Sequence, residues 1–141
     1  MKYLSRRAVL GGASSSLIAG AGCLSPSKSE PKSKINFISI KNKRNHAVDV
    51  HLRVKDASKI VLEETHHLET YSGMSPKSSV YYTERPVKHS GRYVVTVSVD
   101  DTPVTVDTTT QVHGKADCVG IIFRIEPGSG LYYESKAVQH C

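Results

Sequence analysis

The feature of this sequence that most constrains its fold is a regular alternation of apolar and polar residues in two separate runs. Four apolar residues alternate with three polar ones in Val48–Val54. In the run 93–99, Tyr93, Val95, Val97 and Val99 occupy alternate positions. Successive side chains of a β-strand point to opposite faces, so a period of two predicts strands that bury one face. A sheet with one buried face needs a second layer to cover it.

Six further runs have strand character and are separated by turn residues, chiefly glycine, proline, serine and aspartate. Together with the alternating runs, the predicted strands cover residues 35–40, 48–54, 60–66, 80–83, 91–100, 104–108, 118–125 and 131–138. The run 118–125 is apolar on both faces for several residues, which predicts a central, buried strand. We expect hairpins over 35–54 and 92–108, and we expect Ile35 and Phe37 to share one face of their strand.

Eight short strands without helical periodicity after the first segment favour two packed sheets. We therefore predict an all-β, immunoglobulin-like antiparallel β-sandwich of seven to eight strands over residues 35–141. Residues 23–34 are rich in serine and lysine and contain two prolines, which predicts a flexible linker. Residues 1–22 have the basic start and short apolar run of a signal peptide.

The first segment also resembles two export signals. Ser5-Arg6-Arg7-Ala8-Val9-Leu10 is similar to the twin-arginine motif of proteins that are exported folded, with Arg6 and Arg7 as its paired arginines. The apolar run Ala8–Gly22 is shorter than the roughly 20 residues that a membrane-spanning helix needs. These residues therefore predict transport across the membrane, followed by removal of the segment.

The small residues before Cys23 resemble the lipobox of lipoproteins. In such proteins the cysteine thiol takes a lipid and becomes the new N-terminus, so Ala21-Gly22-Cys23 predicts lipidation at Cys23. The alternative is ordinary cleavage nearby, which would leave Cys23 as a free thiol. The lipid interpretation predicts a protein held on the extracytoplasmic face of the cell membrane, with membrane lipid as its first partner.

The charge of the chain argues against nucleic-acid binding. Of 19 basic residues three lie in the predicted signal peptide, so the net charge falls from +6 to +3 on processing. The chain has no tryptophan, no basic helix and no recognised nucleic-acid-binding motif. Much of the remaining positive charge lies in the linker and the first turn, where it suits a position near anionic headgroups.

Two cysteines remain once Cys23 is assigned to the anchor. Cys118 and Cys141 are expected to form a disulfide in an oxidising exterior. A turn centred on residues 128 and 129 brings the two close to directly opposed sites on the last two strands, within a shift of one or two residues. By closing a loop, the bridge would stabilise the folded state by roughly 3 kcal/mol, because it lowers the entropy of the unfolded chain.

The sequence contains no assembled catalytic or metal-binding motif. A zinc site from His113, Cys118, His140 and Cys141 lacks the usual CxxC spacing, and an oxidised pair cannot bind as thiolates. A blue-copper loop would need a methionine close to its cysteine and histidine, and no methionine follows residue 74. A Gly-x-Ser-x-Gly elbow and a glycine-rich phosphate loop are also missing. We therefore predict a protein that is not an enzyme and that has no cofactor.

Two tyrosine doublets give the one sign of a binding surface. On strands, Tyr81-Tyr82 and Tyr132-Tyr133 each direct one ring inward and one outward. The inward ring of each doublet is expected to pack in the core. The outward rings are candidates for contact with a partner, since exposed tyrosines dominate many interfaces.

The chain as a whole resembles the small twin-arginine lipoproteins of salt-loving archaea that carry an immunoglobulin-like domain. The resemblance rests on Ser5–Leu10, on Ala21–Cys23, on the strand Gly91–Val97 and on the late cysteine pair. It implies a two-chain ether lipid and a surface-attached domain, without implying an activity. Our first hypothesis is a non-enzymatic, lipid-anchored surface domain that binds a protein or an envelope component. The alternative is an extracytoplasmic carrier of a metal or small ligand that uses its surface histidines.

Overall fold

The computed structural model describes residues 31–73, 77–112, 117–128, 130–139 and 141. These residues form eight β-strands and one short 3-10 turn, Thr108–Thr110. The strands are β1 Lys34–Asn42, β2 Val48–Asp56, β3 Lys59–Leu68, β4 Val80–Glu84, β5 Tyr93–Val99, β6 Thr102–Asp107, β7 Cys118–Ile125 and β8 Leu131–Val138. No helix in this part of the chain is long and apolar enough to cross a membrane.

The strands make two four-stranded sheets, which confirms the predicted β-sandwich. One sheet has the order β4-β1-β7-β8 and the other has the order β3-β2-β5-β6. All neighbours are antiparallel except β1 and β7, which run parallel. The face of each sheet that meets the other sheet is its inner face, and the opposite side is its outer face.

The core lies between the inner faces and follows the alternation seen in the sequence. Every second residue is buried in the first seven positions of β2 and throughout β5, and Leu52 of β2 is paired with Val97 of β5. Strand β7 is central, as predicted, with Phe123 fully buried between neighbours β1 and β8. Burial of such side chains stabilises each by about 1.5–3 kcal/mol, which is the main force holding the sheets together.

The predicted hairpin over residues 35–54 is wrong, whereas β5 and β6 do form the expected hairpin within 92–108. Strands β1 and β2 lie in different sheets, and residues 43–47 carry the chain from one sheet to the other. The crossing is stabilised by the buried side chain of Asn42, which donates to the backbone oxygens of His46 and Glu69, both at 2.9 Å. These bonds take the place of the ladder that a hairpin would have formed.

The prediction that Phe37 shares a face of β1 with Ile35 is also wrong. The pairing of β1 with β7 has a register shift between Ile35 and Phe37, the mark of a β-bulge. A bulge adds one residue to a strand and reverses the alternation beyond it. Ile35 therefore points into the core with Ile38 and Ile40, which are fully buried, while Phe37 lies on the outer face.

Cys118 and Cys141 come within disulfide distance, with their α-carbons 5.8 Å apart. The register differs from the one expected, because Val138 is the residue directly opposite Cys118. Cys141 follows the end of β8 and reaches Cys118 from beyond the ladder. The bridge therefore ties residues after the last strand to the start of the central strand.

The chain enters the sandwich at one end, which we call the tether end. Ser33 makes a two-way backbone pairing with Gly91, with both N–O distances at 2.9 Å. The Ser33 hydroxyl also bonds the Thr108 hydroxyl at 2.5 Å, and Thr108 donates to the Tyr93 carbonyl at 3.0 Å. The opposite end, which holds Asn42 and the β7–β8 turn, is the far end.

Candidate functional site

The predicted site residues fall into two groups. Arg6, Arg7 and Cys23 lie outside the described residues, so the export motif and the lipidation site stay predictions. Cys118 and Cys141 are brought together. Of the zinc candidates, His113 and His140 also lie outside the described residues, and the described part of the chain has no group of three or more His, Cys, Asp or Glu placed to hold a metal.

The outward rings of the two tyrosine doublets lie on the same side of the same sheet. Tyr82 on β4 is 58% exposed and Tyr132 on β8 is 60% exposed, and both project from the outer face of β4-β1-β7-β8. Phe37 stacks on Tyr82 with ring centroids 5.8 Å apart, and Ile122 of β7 lies between the two edge strands. We name Phe37, Tyr82, Ile122 and Tyr132 the aromatic face.

Two glycines allow rings of the aromatic face to lie against the sheet. A β-carbon at Gly120 would collide with the ring of Phe37, its partner across the β1–β7 pairing. A β-carbon at Gly130 would collide with the ring of Tyr132 in the same way. Rings that rest on backbone are held in place before any partner arrives, which reduces the entropy lost on binding.

Charged side chains lie beside the apolar centre of this face. Arg124 and Glu134 form a paired contact across β7 and β8, with Nη2 donating to Oε2 at 2.8 Å and Nη1 donating to Oε1. The pairing register places Lys41 beside Arg124 on the same face. The ion pair lies within the aromatic face, because Glu134 is opposite Ile122 and Arg124 is opposite Tyr132. Exposed aromatic rings and arginine are both enriched in protein-binding surfaces.

The inward tyrosine of the first doublet belongs to a polar cluster between the two sheets. The Tyr81 hydroxyl donates to Glu64 Oε2 at 2.9 Å, and His66 Nε2 lies 2.8 Å from the same oxygen. The His66 and Tyr81 rings stack with centroids 3.9 Å apart. Glu64 and His66 lie on edge strand β3 and Tyr81 on edge strand β4, so the cluster closes one open side of the sandwich.

The electrostatics of this cluster favour a structural role over acid–base chemistry. The hydrogen bond from His66, followed by that from Tyr81, holds the pKa of Glu64 below its usual value. Burial, followed by the bond to Glu64, raises the pKa of Tyr81 to about 12. A tyrosine that acts as a base near neutral pH needs a lowered pKa, so the shift here runs in the opposite direction.

The cluster predicts how stability responds to alkaline pH. The pKa of Tyr81 is raised in the folded state, so its contribution to stability is complete below the unfolded value near 10 and is lost as pH rises towards 12. In urea titrations between pH 8 and 11.5, the Tyr81→Phe variant should lose free energy of unfolding less steeply above pH 10 than the wild type. The exposed Tyr82→Phe variant is the matched control, and equal slopes for the two variants would contradict the assignment.

The three histidines of β2 and β3 each lie beside a carboxylate, and they do not cluster around one shared site. His67 is exposed on the outer face, with Nδ1 2.7 Å from Asp49, and this bond raises its pKa. His51 lies 3.3 Å from Glu63, a carboxyl whose pKa is lowered chiefly by its hydrogen bond with Arg53. His66 and His67 point to opposite faces, as predicted for adjacent strand residues.

Comparison with family models, with curated proteins and with solved structures found no match for this chain. A function is therefore inferred from the surface chemistry of this protein alone. Among the described residues, the aromatic face is the feature that most resembles a binding site, because it combines exposed rings with an arginine–glutamate pair on one side of a sheet.

Proposed function

We propose that this protein is a non-enzymatic domain, anchored by lipid at Cys23 to the extracytoplasmic face of the cell membrane, that binds a protein or envelope component through its aromatic face. The observation that carries the proposal is that Tyr82 and Tyr132 both lie on one outer face, each more than half exposed. An exposed apolar patch rimmed by polar residues commonly marks a site of interaction with another molecule.

The orientation of the sandwich suits a partner beside the domain. The aromatic face runs along strands β4, β1, β7 and β8 rather than across an end of the sandwich. Ser33, where the chain joins the sheets, lies ten positions after Cys23. A chain of that length reaches at most about 35 Å, so a domain anchored at Cys23 keeps this side open to molecules at the cell surface.

The aromatic face is expected to account for most of the binding free energy. Buried tyrosines at the centre of an interface commonly contribute about 2 kcal/mol or more when truncated, whereas residues at the margin contribute little. The Arg124–Glu134 pair, which lies between Ile122 and Tyr132, would then set the orientation of the partner rather than its affinity.

Site-specific crosslinking in intact cells tests this proposal. A photoreactive amino acid at position 82 or 132 should give the same covalent adduct, because both positions face one partner. The matched control is position 71, since Tyr71 is 51% exposed but lies at the far end and outside the aromatic face. The adduct should disappear in a Tyr82→Ser/Tyr132→Ser background probed from position 37. No adduct at 82 and 132, or an equal adduct at 71, would contradict the proposal.

A further inference from the structure

The tether end carries an exposed apolar patch that the core does not use. Ile60 and Val61 at the start of β3 are 45% and 42% exposed, and they are the aliphatic residues among the large exposed hydrophobic side chains of the described chain. Their exposure follows from a register shift in the β2–β3 pairing, where Leu62 pairs with Val54 and Ile60 pairs with Lys55. Val61 is the extra residue of this irregularity.

A loop from the other sheet completes the patch. Pro86 and Val87 follow β4 and line, with Val61, a hollow of about 290 Å³. The buried Tyr93 borders this hollow, and its hydroxyl donates to the His89 carbonyl at 2.7 Å, which holds the loop in place. Apolar side chains from both sheets therefore meet at the surface of the tether end.

Cations surround the patch. Lys34, Arg85 and Lys88 line an adjoining hollow of about 280 Å³, and Lys59 directly precedes Ile60. Within the described part of the chain none of these four side chains forms an ion pair. Of the described side chains that line the two hollows, Asp56 is the one carboxylate, and it accepts the backbone N–H of Arg92 at 3.0 Å.

The far end differs in its exposed aliphatic residues and in the pairing of two of its cations. Lys43 lies 3.5 Å from Glu126, and Arg44 pairs with Asp100 at 2.5 Å, so these cations are partnered within the domain. The two exposed aliphatic residues named above have no counterpart there among the described residues. Among the described residues, the exposed aliphatic side chains thus coincide with a group of four cations that form no ion pair, at the end where the tether enters.

We propose that the tether end docks on the membrane, with the apolar patch in the interfacial region and the surrounding cations on anionic lipid headgroups. The proposal rests on the proposed lipid anchor at Cys23, which would place this end within reach of the bilayer. Apolar side chains ringed by lysine and arginine are the combination that binds a charged interface. The apolar contact persists at high salt, whereas the cationic contact weakens as salt is added.

Headgroup quenching on reconstituted protein tests the docking. The full chain is expressed with its signal, purified from membranes as the processed product, and incorporated into vesicles of neutral lipid or of neutral lipid with anionic phosphatidylglycerol. A fluorophore is attached at Ser90→Cys on the tether-end loop or at Ser72→Cys at the far end. With a headgroup-located quencher, the label at position 90 should be quenched more than that at 72, and more strongly on anionic vesicles.

Matched variants assign the effect to the tether end. Lys59→Gln/Lys88→Gln and Lys43→Gln/Lys77→Gln remove the same charge from the tether end and the far end, and Ile60→Ser/Val61→Ser removes apolar contact. Lys59→Gln/Lys88→Gln and Ile60→Ser/Val61→Ser should each reduce the excess quenching at position 90 by about half or more. Lys43→Gln/Lys77→Gln should leave that quenching unchanged. A chain that does not float with vesicles would overturn both proposals. Flotation with equal quenching at 90 and 72, or equal effects of the two charge variants, would overturn docking alone.

Discussion

Replacement of Asn42 by alanine should lower the free energy of unfolding by about 3 kcal/mol, because it removes the hydrogen bonds that hold the crossing between the two sheets. The side chain is fully buried, and its amide nitrogen donates to the carbonyls of His46 and Glu69 at 2.9 Å. Its oxygen accepts the Arg44 N–H, also at 2.9 Å. Alanine would remove these three hydrogen bonds from a partly buried region, and each such loss costs about 1–3 kcal/mol.

Urea unfolding followed by circular dichroism measures this effect. The matched control is Asn45→Ala in the same connection, because Asn45 is exposed and makes a 3.2 Å side-chain contact with His46. Exposed substitutions of this kind usually change stability by less than about 0.5 kcal/mol. If Asn42→Ala proved as mild as Asn45→Ala, the side chain would not be what holds the crossing.

The parts of the fold that the sequence predicts are those in which one face is clearly apolar. In β2 and β5 a shift of one residue would place every core side chain in water, so local alternation alone selects the buried face. Strand β7 is predictable for the opposite reason, because it is apolar on both sides and must therefore be central.

Strand β1 shows where local pattern is insufficient. Apolar side chains lie on both faces of this strand, at Ile35, Phe37, Ile38 and Ile40. The local sequence is therefore compatible with either face pointing into the core. The choice is made by the parallel pairing with β7, about eighty residues later, and by the bulge within that pairing. No residue near Phe37 signals the bulge, so the local sequence does not predict the outward position of Phe37.

The candidate sites depend on topology in the same way. Alternation predicts that each tyrosine doublet has one ring outward, but only the sheet order places Tyr82 and Tyr132 on one face. The Glu64–His66–Tyr81 cluster likewise requires edge strands of different sheets to meet. Strands β4 and β8 are far apart in sequence, and the consecutive strands β3 and β4 belong to different sheets, so short-range patterns carry no information about these contacts.

Substitution of Cys23 by serine should move the protein from the membrane fraction to the soluble fraction. A lipid with two long chains gives stable attachment, since each buried methylene contributes about 0.8 kcal/mol. The tether-end patch alone is small by comparison, so it should not retain an unlipidated chain through a high-salt wash. Arg6→Lys/Arg7→Lys is a separate control, because it tests export and should leave the full precursor inside the cell.

The most direct test of the proposed anchoring is the intact mass of the native protein, extracted from membranes with detergent and measured without reduction. We expect the mass of the chain that begins at Cys23 plus one two-chain lipid on Cys23, less the two hydrogens lost in forming the Cys118–Cys141 disulfide. A native protein with the mass of an unmodified chain, recovered from the cytosol, would contradict it.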